Sequence, residues 1–253
     1  MTLIESLMVA LSTYSRIPMP NFKWNEKNMK YAICFFPIVG IICGVFAMLW
    51  SKLGTFLNVS NLFLAMILVC IPLLITGGIH MDGFMDTVDA LSSYQPREKK
   101  LEILRDPHCG AFAVIYCGIY LVLNIAVVYE ICSLGSIAVM CPIYFLSRCL
   151  SAVCAVNLPN ARRNGMLSGY TENADKKIVN SAMGIFAAAC MIVMLAISFV
   201  QAVTALLSGF LWTVLYCKMV KKQFGGVTGD TAGFFLQIFE LCCMLGVWLG
   251  AVI

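Results

Sequence analysis

The sequence predicts an all-α fold, a polytopic integral membrane bundle of about seven transmembrane helices with its N-terminus in the cytoplasm. Three observations carry that prediction. Of 253 residues, 61% are hydrophobic and 12% charged, about half the charged share of an average soluble domain, and the mean hydropathy is +0.89. Apolar runs of about 20 residues, enough to cross a bilayer, recur along the chain. The basic residues between those runs gather in alternate loops.

In chain order, Met1 to Pro20 mixes Leu3, Ile4, Leu7, Met8 and Leu11 with Glu5 and Arg16. It lacks the basic start and small-residue cleavage site of a removable signal. Residues 1–30 are therefore expected as a cytoplasmic or interfacial segment, the first part an amphipathic helix on the membrane surface. Spans are expected near residues 31–50, 58–78, 110–130, 133–156, 178–198, 202–220 and 232–253. The uncharged stretch from Ile178 to Cys217 is about two spans long, so a tight turn is placed near Gln201.

Arg16, Lys23, Lys27 and Lys30 precede the first span. Arg97, Lys99, Lys100 and Arg105 follow the second, Arg162, Arg163, Lys176 and Lys177 the fourth, and Lys218, Lys221 and Lys222 the sixth. The opposite loops hold little basic beyond Lys52. Adding or dropping a span would scatter these residues over both faces, so the pattern supports the number seven and puts the C-terminus on the far side. A single domain, residues 1–253, is expected, with residues 79–109 as a cytoplasmic catalytic loop. Thirteen scattered cysteines read as small core hydrophobes, and two histidines do not suggest a zinc site. The net charge of +4 suits an anionic leaflet and anionic substrates, and no nucleic-acid partner is expected.

The chemistry collects at the end of the second span, in Gly77-Gly78-Ile79-His80-Met81-Asp82-Gly83-Phe84-Met85-Asp86-Thr87-Val88-Asp89. At about 100° per residue, Asp82, Asp86, Asp89 and Ser93 share one helical stripe, with Phe84, Met85, Val88 and Leu91 opposite. Unpartnered carboxylates so close repel one another, so the stripe reads either as a cation site or as a solvated face paired with nearby lysines and arginines. A hard divalent ion such as Mg2+, shared between carboxylates and substrate phosphates, is the first expectation. His80 is placed to donate to a phosphate, to take a proton, or simply to meet water at the interface.

Downstream, Pro96 opens a short helix expected over Arg97 to Arg105, ended by Pro107. Arg97, Lys100 and Arg105 beside three acids could hold a diphosphate with its metal, whereas Lys99 and Lys100 equally suit lipid headgroups. Gly225-Gly226-Val227-Thr228-Gly229-Asp230-Thr231-Ala232-Gly233 opens the last span with four glycines in nine positions, more than a helix cap needs. That density predicts an anion nest at the helix N-terminus. Glu240, within the last span, must face the protein interior and has Arg148 as a possible partner. Arg162-Arg163 followed by Gly165 suits either phosphate contact or a positive-inside anchor.

Three motifs, G-G-x-H-x-D-G-x-x-D-x-x-D-A, R-E-K-K-L-E-I-L-R-D-P-x-x-G-A-F and G-G-x-T-G-D-x-x-G with a later Glu, together resemble the adenosylcobinamide-GDP ribazoletransferase (cobalamin synthase) family from Arg16-Ile17-Pro18 to Glu240. The resemblance implies a Mg2+-dependent enzyme of a bacterial or archaeal cell membrane, its active site facing the cytoplasm. Such an enzyme joins adenosylcobinamide-GDP to alpha-ribazole or its 5'-phosphate, giving adenosylcobalamin or its phosphate and releasing GMP. It further implies Asp82, Asp86 and Asp89 as metal ligands, with one of them or His80 as base. Arg97, Arg105 and Asp106 would arrange the diphosphate, and Thr228, Gly229 and Asp230 would hold a phosphate or nucleotide edge. Arg162 and Glu240 complete the expected substrate-binding set. His108 and Cys109 depart from the family pattern and receive no role, and Arg163 replaces an expected proline.

Two other readings compete. A CDP-alcohol-type membrane phosphotransferase also gathers aspartates at a bilayer, but its D-x-x-D-G order is not met here. An ion-coupled secondary transporter would expect inverted repeats and acids near the midplane, whereas these acids lie beside the basic loops. A homo-oligomer is compatible with either enzyme reading.

Overall fold

The computed structural model describes residues 2–20, 29–162 and 165–253; Lys23, Lys27 and Arg163 lie outside them. The described chain is helical apart from one isolated parallel bridge between Asn160 and Val227. The elements are α1 (Thr2–Tyr14), a 3-10 turn (Ala32–Phe35), α2 (Phe36–Phe56), α3 (Asn61–Thr76), α4 (Ile79–Ser92), α5 (Arg97–Ile103), α6 (Ala111–Ser133), α7 (Ile137–Met140), α8 (Ile143–Asn157), α9 (Met166–Asn173), α10 (Lys176–Ile197), α11 (Phe199–Gln223) and α12 (Gly229–Val252).

Six helical stretches are long and apolar enough to span a membrane, and the α3–α4 pair makes a seventh if it is counted as one span. Six of the seven expected spans are therefore matched directly and the second only as part of the bent pair, with three differences of detail. The second does not run straight into the acidic helix: α4 leaves α3 at 94°. Gly77 and Gly78 sit consecutively at φ of 65° and 79°, a left-handed pair that side chains with a Cβ rarely adopt. The fourth is split by Cys141 and Pro142 into α7 and α8, because the proline ring cannot continue a helix. The turn between the fifth and sixth lies at Ser198, in extended backbone, three residues before Gln201.

The last helix, α12, is the axis of the bundle, packed by α11, α4, α8 and α6. Small residues let α11 and α12 approach closely: Gly209 lies against Phe239 and Cys243, and Gly246 and Gly250 against Ala205, Thr204 and Gln201. Such contact replaces the hydrophobic drive that lipid cannot supply. Thr204 Oγ1 donates to the Gly246 carbonyl at 2.6 Å, and Trp212 Nε1 to the Phe235 carbonyl at 3.1 Å.

Several buried polar side chains within the bundle pair with one another. Tyr120 donates to Gln237 at 2.6 Å and Asn124 to Tyr120 at 3.1 Å. Arg148 and Glu240, 1% and 4% exposed, form an ion pair; Ser147 also donates to Glu240 at 2.8 Å, and Arg148 to the Tyr144 carbonyl at 2.9 Å. A lone glutamate here would be costly, and Arg148 is the partner that makes it tolerable.

The N-terminal helix α1 packs on the 3-10 turn and α2, leaving Leu3 and Ile4 exposed. Thr13 Oγ1 lies 2.5 Å from the Tyr170 hydroxyl, tying α1 to α9. The following Arg16 donates its backbone N–H to the Ile75 carbonyl at 2.8 Å. Its side chain fills the space where a Cβ on Gly77 would stand, placing a cation over the C-terminal end of α3. The N-terminal segment thereby braces the elbow that aims α4.

Candidate active site

The acidic stripe forms as expected on α4, with Asp82 exposed and Asp86 and Asp89 half-buried, while Phe84 and Val88 on the other face are buried. Two glycines decide what the stripe meets. A Cβ on Gly83 would stand 2.7 Å from the Asp230 carbonyl oxygen, and one on Gly233 2.8 Å from the His80 carbonyl oxygen. The backbones of α4 and α12 therefore cross in contact, which brings the Asp230 carboxylate to the stripe.

Asp230 is paired with Arg162 at 3.3 Å. The second guanidinium nitrogen of Arg162 donates to the Leu101 carbonyl at 3.0 Å, while its buried Nε has no partner. Burial holds the Arg162 guanidinium below its ordinary range, opposed by the adjacent Asp230. Among the described residues, no ion pair reaches Asp82, Asp86 or Asp89. Among the described residues the three stripe carboxylates thus stand without an ion-pair partner, with Arg162 the guanidinium that acts on Asp86.

A preformed three-carboxylate cage is not what the structure builds: among the described residues, no three His, Cys, Asp or Glu side chains converge as a metal-binding group. Asp89 instead lies against Gly110, where a Cβ would collide with its carboxylate, beside the N-terminus of α6 whose dipole favours an anion. Asp82 and Asp86 are left as the stripe's open carboxylates. They fit an ion that takes one or two protein carboxylates and completes its octahedron with water and phosphate oxygens.

Three glycines of the glycine-dense segment, Gly225, Gly226 and Gly233, serve close packing, which narrows the predicted anion nest to the helix start at Gly229. Gly225, at φ 76°, leaves room for the Arg97 guanidinium. Gly226 lies on the Pro159 carbonyl, where Val227 donates to Pro159 at 2.8 Å and Ala161 to Val227 at 2.9 Å. Gly233 makes the helix crossing. Gly229 is the one with open space around its Cα, and it is exposed. Thr228 caps α12 by accepting from the Thr231 N–H at 3.1 Å and also donates to Asp230 at 3.3 Å. The exposed helix start at Gly229 therefore remains available to an anion.

The short helix α5 ends at Ile103, two residues before Arg105, because Pro107 forces the chain out of helix. Lys100 is buried and donates to Gln223 at 2.5 Å, so it ties α5 to the end of α11 and does not face lipid headgroups. Arg97 and Arg105 remain exposed. Asp106 accepts from the His108 backbone N–H at 3.0 Å and meets the His108 ring at 2.6 Å, which together hold its carboxyl below the usual range. Glu240 is taken up by Arg148 and Ser147 inside the bundle and borders neither opening beside the acids. The structure thus gives it partners inside the bundle, apart from the two openings beside the acids.

Two openings flank Asp230. A recess of about 100 Å³ is bordered by Asn160, Arg162, Ser168, Thr228 and Asp230. A chamber of about 270 Å³ runs inward from Asp82 and Asp230 between Tyr14, Phe36, His80 and Ala152. The sequence pointed to His80 but not to the rest of this wall; its only signal was the small residues Ser151, Ala152 and Ala155 on one stretch of α8.

A helical membrane protein that gathers carboxylates, guanidinium groups and an open helix start at one end of its bundle has the parts of a phosphoryl-group transferase. The chain belongs to the cobalamin-5-phosphate synthase (CobS) family, whose model matches residues 6–248. It is 41% identical over 244 residues to an adenosylcobinamide-GDP ribazoletransferase of Lachnoclostridium phytofermentans, covering 96% of this chain and 93% of that one. Proteins of the same name from Geobacillus sp. (33% identity, 89% of this chain and 88% of the relative) and Clostridium botulinum strain Alaska E43 (31%, 94% and 95%) are also similar. No solved structure matches the chain.

Proposed function

We propose that this protein is an adenosylcobinamide-GDP ribazoletransferase of cobalamin biosynthesis, and that the crossing of α4 and α12 is its reaction centre. The observation that carries the placement is the juxtaposition of Asp82 and Asp86 with Asp230 and Arg162, in a full-length member of the family. The competing readings lack such support: the matched family is neither a phosphatidyl transferase nor a transporter.

In the reaction, the acceptor hydroxyl oxygen forms a bond to the phosphorus beside the cobinamide. The bond from that phosphorus to the bridging oxygen breaks, and GMP leaves with the electron pair. The hydroxyl proton passes to a carboxylate of the α4 stripe, the group whose charge is uncompensated and which is open to solvent. His80 is walled in by Tyr14 and Phe36, with ring centroids 6.4 and 5.7 Å away, and is a poorer candidate for that proton.

Asp82 and Asp86 would hold Mg2+, which supplies charge neutralisation at the diphosphate when bound. Arg162 offsets negative charge from the α12 side, and Arg97 and Arg105 stand on the exposed rim where the diphosphate arrives. Positioning and electrostatics of this kind make up most of what a protein contributes to phosphoryl transfer. The basic loops support a cytoplasmic site, where a nucleotide-linked substrate is available.

The test is GMP release from adenosylcobinamide-GDP and alpha-ribazole by the purified protein, with Mg2+ or with chelator, for wild type and Asp82→Asn. Chelation should abolish release, and the variant should lose about a thousandfold in kcat, roughly 4 kcal/mol of barrier. Metal-independent turnover would overturn the metal assignment.

A further inference from the structure

The chamber of about 270 Å³ is bordered by the charged groups of the reaction centre at one end, Asp82 and Asp230, and by hydrophobic side chains over most of its depth. Phosphoryl transfer has no use for such walls. The chamber is continuous with the centre yet chemically unlike it, so what enters must have one end that reacts and one that is apolar.

We propose that this chamber is the subsite for the aromatic base of the acceptor nucleoside, with Tyr14, Phe36, Ala152 and Leu236 as its hydrocarbon walls and His80 as its polar contact. This inference rests on the transferase reading and adds the part of the substrate that the carboxylates do not explain. Size and chemistry select the occupant. The volume lies near the lower end of small-molecule pockets, about 300 Å³, which suits a bicyclic heterocycle and excludes a corrin ring. Guanine would also fit by size, but away from Asp82 and Asp230 the chamber offers few polar side chains, His80 and Ser151 among them, too few to pair its donors and acceptors. A benzimidazole with methyl groups on its far edge presents hydrocarbon there and a single unsubstituted imine nitrogen.

His80 supplies the matching group. The residue is 5% exposed, stands in the chamber wall, and its Nε2 is buried without a hydrogen-bond partner. A buried ring nitrogen left unpaired is costly and points to a partner that is not part of the chain. Carrying its proton on Nε2, His80 donates to the imine nitrogen of the base. The ribose then lies toward Asp82 and Asp230, with its hydroxyl at the carboxylates. Tyr14 belongs to α1, which Thr13 ties to Tyr170, so the N-terminal helix forms one side of the base subsite.

The experiment is equilibrium binding of alpha-ribazole to the full-length protein in lipid nanodiscs, for wild type, Ala152→Leu, Leu167→Phe and His80→Phe. Ala152→Leu fills the chamber from α8. Leu167→Phe narrows it from the short helix α9, where a larger side chain disturbs the bundle least, and so serves if the first variant does not fold. Each filling variant should weaken binding about tenfold or more, and His80→Phe about fivefold. In turnover, KM for alpha-ribazole should rise while KM for adenosylcobinamide-GDP stays unchanged.

A riboside of unmethylated benzimidazole should lose less affinity than alpha-ribazole in the filled variants, because it needs less room. No binding by wild type, unchanged binding in the folded variants, or displacement of alpha-ribazole by guanosine would each overturn the proposal. Binding with the expected losses but without GMP release would leave the chamber assignment standing and remove the transferase reading.

Discussion

Two clusters of charge stand a few helical turns apart on α12 and are built by opposite rules. Around Glu240, each charge has an answering group: Arg148 pairs with it, Ser147 donates to it, and the Tyr144 carbonyl takes a further guanidinium proton. Around Asp230, the same helix meets Asp82 and Asp86 on α4, and Arg162 is the basic side chain paired there. Inside a bilayer an unmatched charge is prohibitive, so the first cluster must balance within the chain. At the rim water screens the deficit, and an imbalance can persist until a ligand removes it. Internal compensation marks structure, and its lack at one end of the bundle marks the place where something is bound.

The strongest way to break this contrast is to neutralise one member of each cluster. Asp86→Asn should cost about a thousandfold in kcat, some 4 kcal/mol, with the protein as resistant to thermal unfolding as wild type or more so, because a like-charge repulsion has been removed. Parallel activity and melting measurements in the same detergent would show this. An Asp86→Asn protein that turns over normally would mean that the deficit at the rim is not the reaction centre.

The mirror-image outcome is expected for Glu240→Gln. Breaking a buried pair from one side leaves an uncompensated charge and costs about 3 kcal/mol of stability, while kcat per folded molecule should stay within a small factor of wild type. Replacing Arg148 by Met in the same protein should recover part of the loss, since no buried charge is then left alone. A Glu240→Gln protein with wild-type melting but a raised KM would restore Glu240 to the substrate-binding set.

Much of this was readable in the chain before any coordinates. Helical periodicity put Asp82, Asp86 and Asp89 on one stripe, and the alternation of basic loops pointed to seven spans where the structure has six or seven, because both depend on neighbours along the sequence. The placement of Glu240 opposite Arg148 was an open choice, since either role puts a carboxylate inside the bundle. What the chain did not disclose depends on contact between distant segments. Gly83 and Gly233 look like ordinary members of glycine-rich motifs, and nothing local says that each lies on the other helix's backbone. Nor does sequence show that Gly225 and Gly226 accommodate Arg97 and Pro159, so glycine density alone reads as a nest. The 94° elbow was half visible in Gly77-Gly78, but its direction is set by packing against α12 and by Arg16.

The smallest expected effect concerns a third kind of charge, the exposed Asp106, which sharpens the contrast by showing what compensation is worth in water. Its carboxyl is held below the usual range first by the His108 backbone N–H and then by the His108 ring. A depressed carboxylate contributes stability that is present above its unfolded pKa, about 4, and is lost as pH falls through the lower folded value. His108→Ala removes the ring but keeps the backbone donor. The Asp106 pKa, followed by carboxyl NMR in selectively labelled protein, should therefore rise only part of the way to its ordinary value, with melting at neutral pH unchanged. A full return would mean that the ring holds the turn that aims the N–H. No movement would mean that the backbone bond alone sets the carboxyl. In either case the shift would stay confined to acid pH, well away from the neutral range in which the rim carboxylates are expected to work.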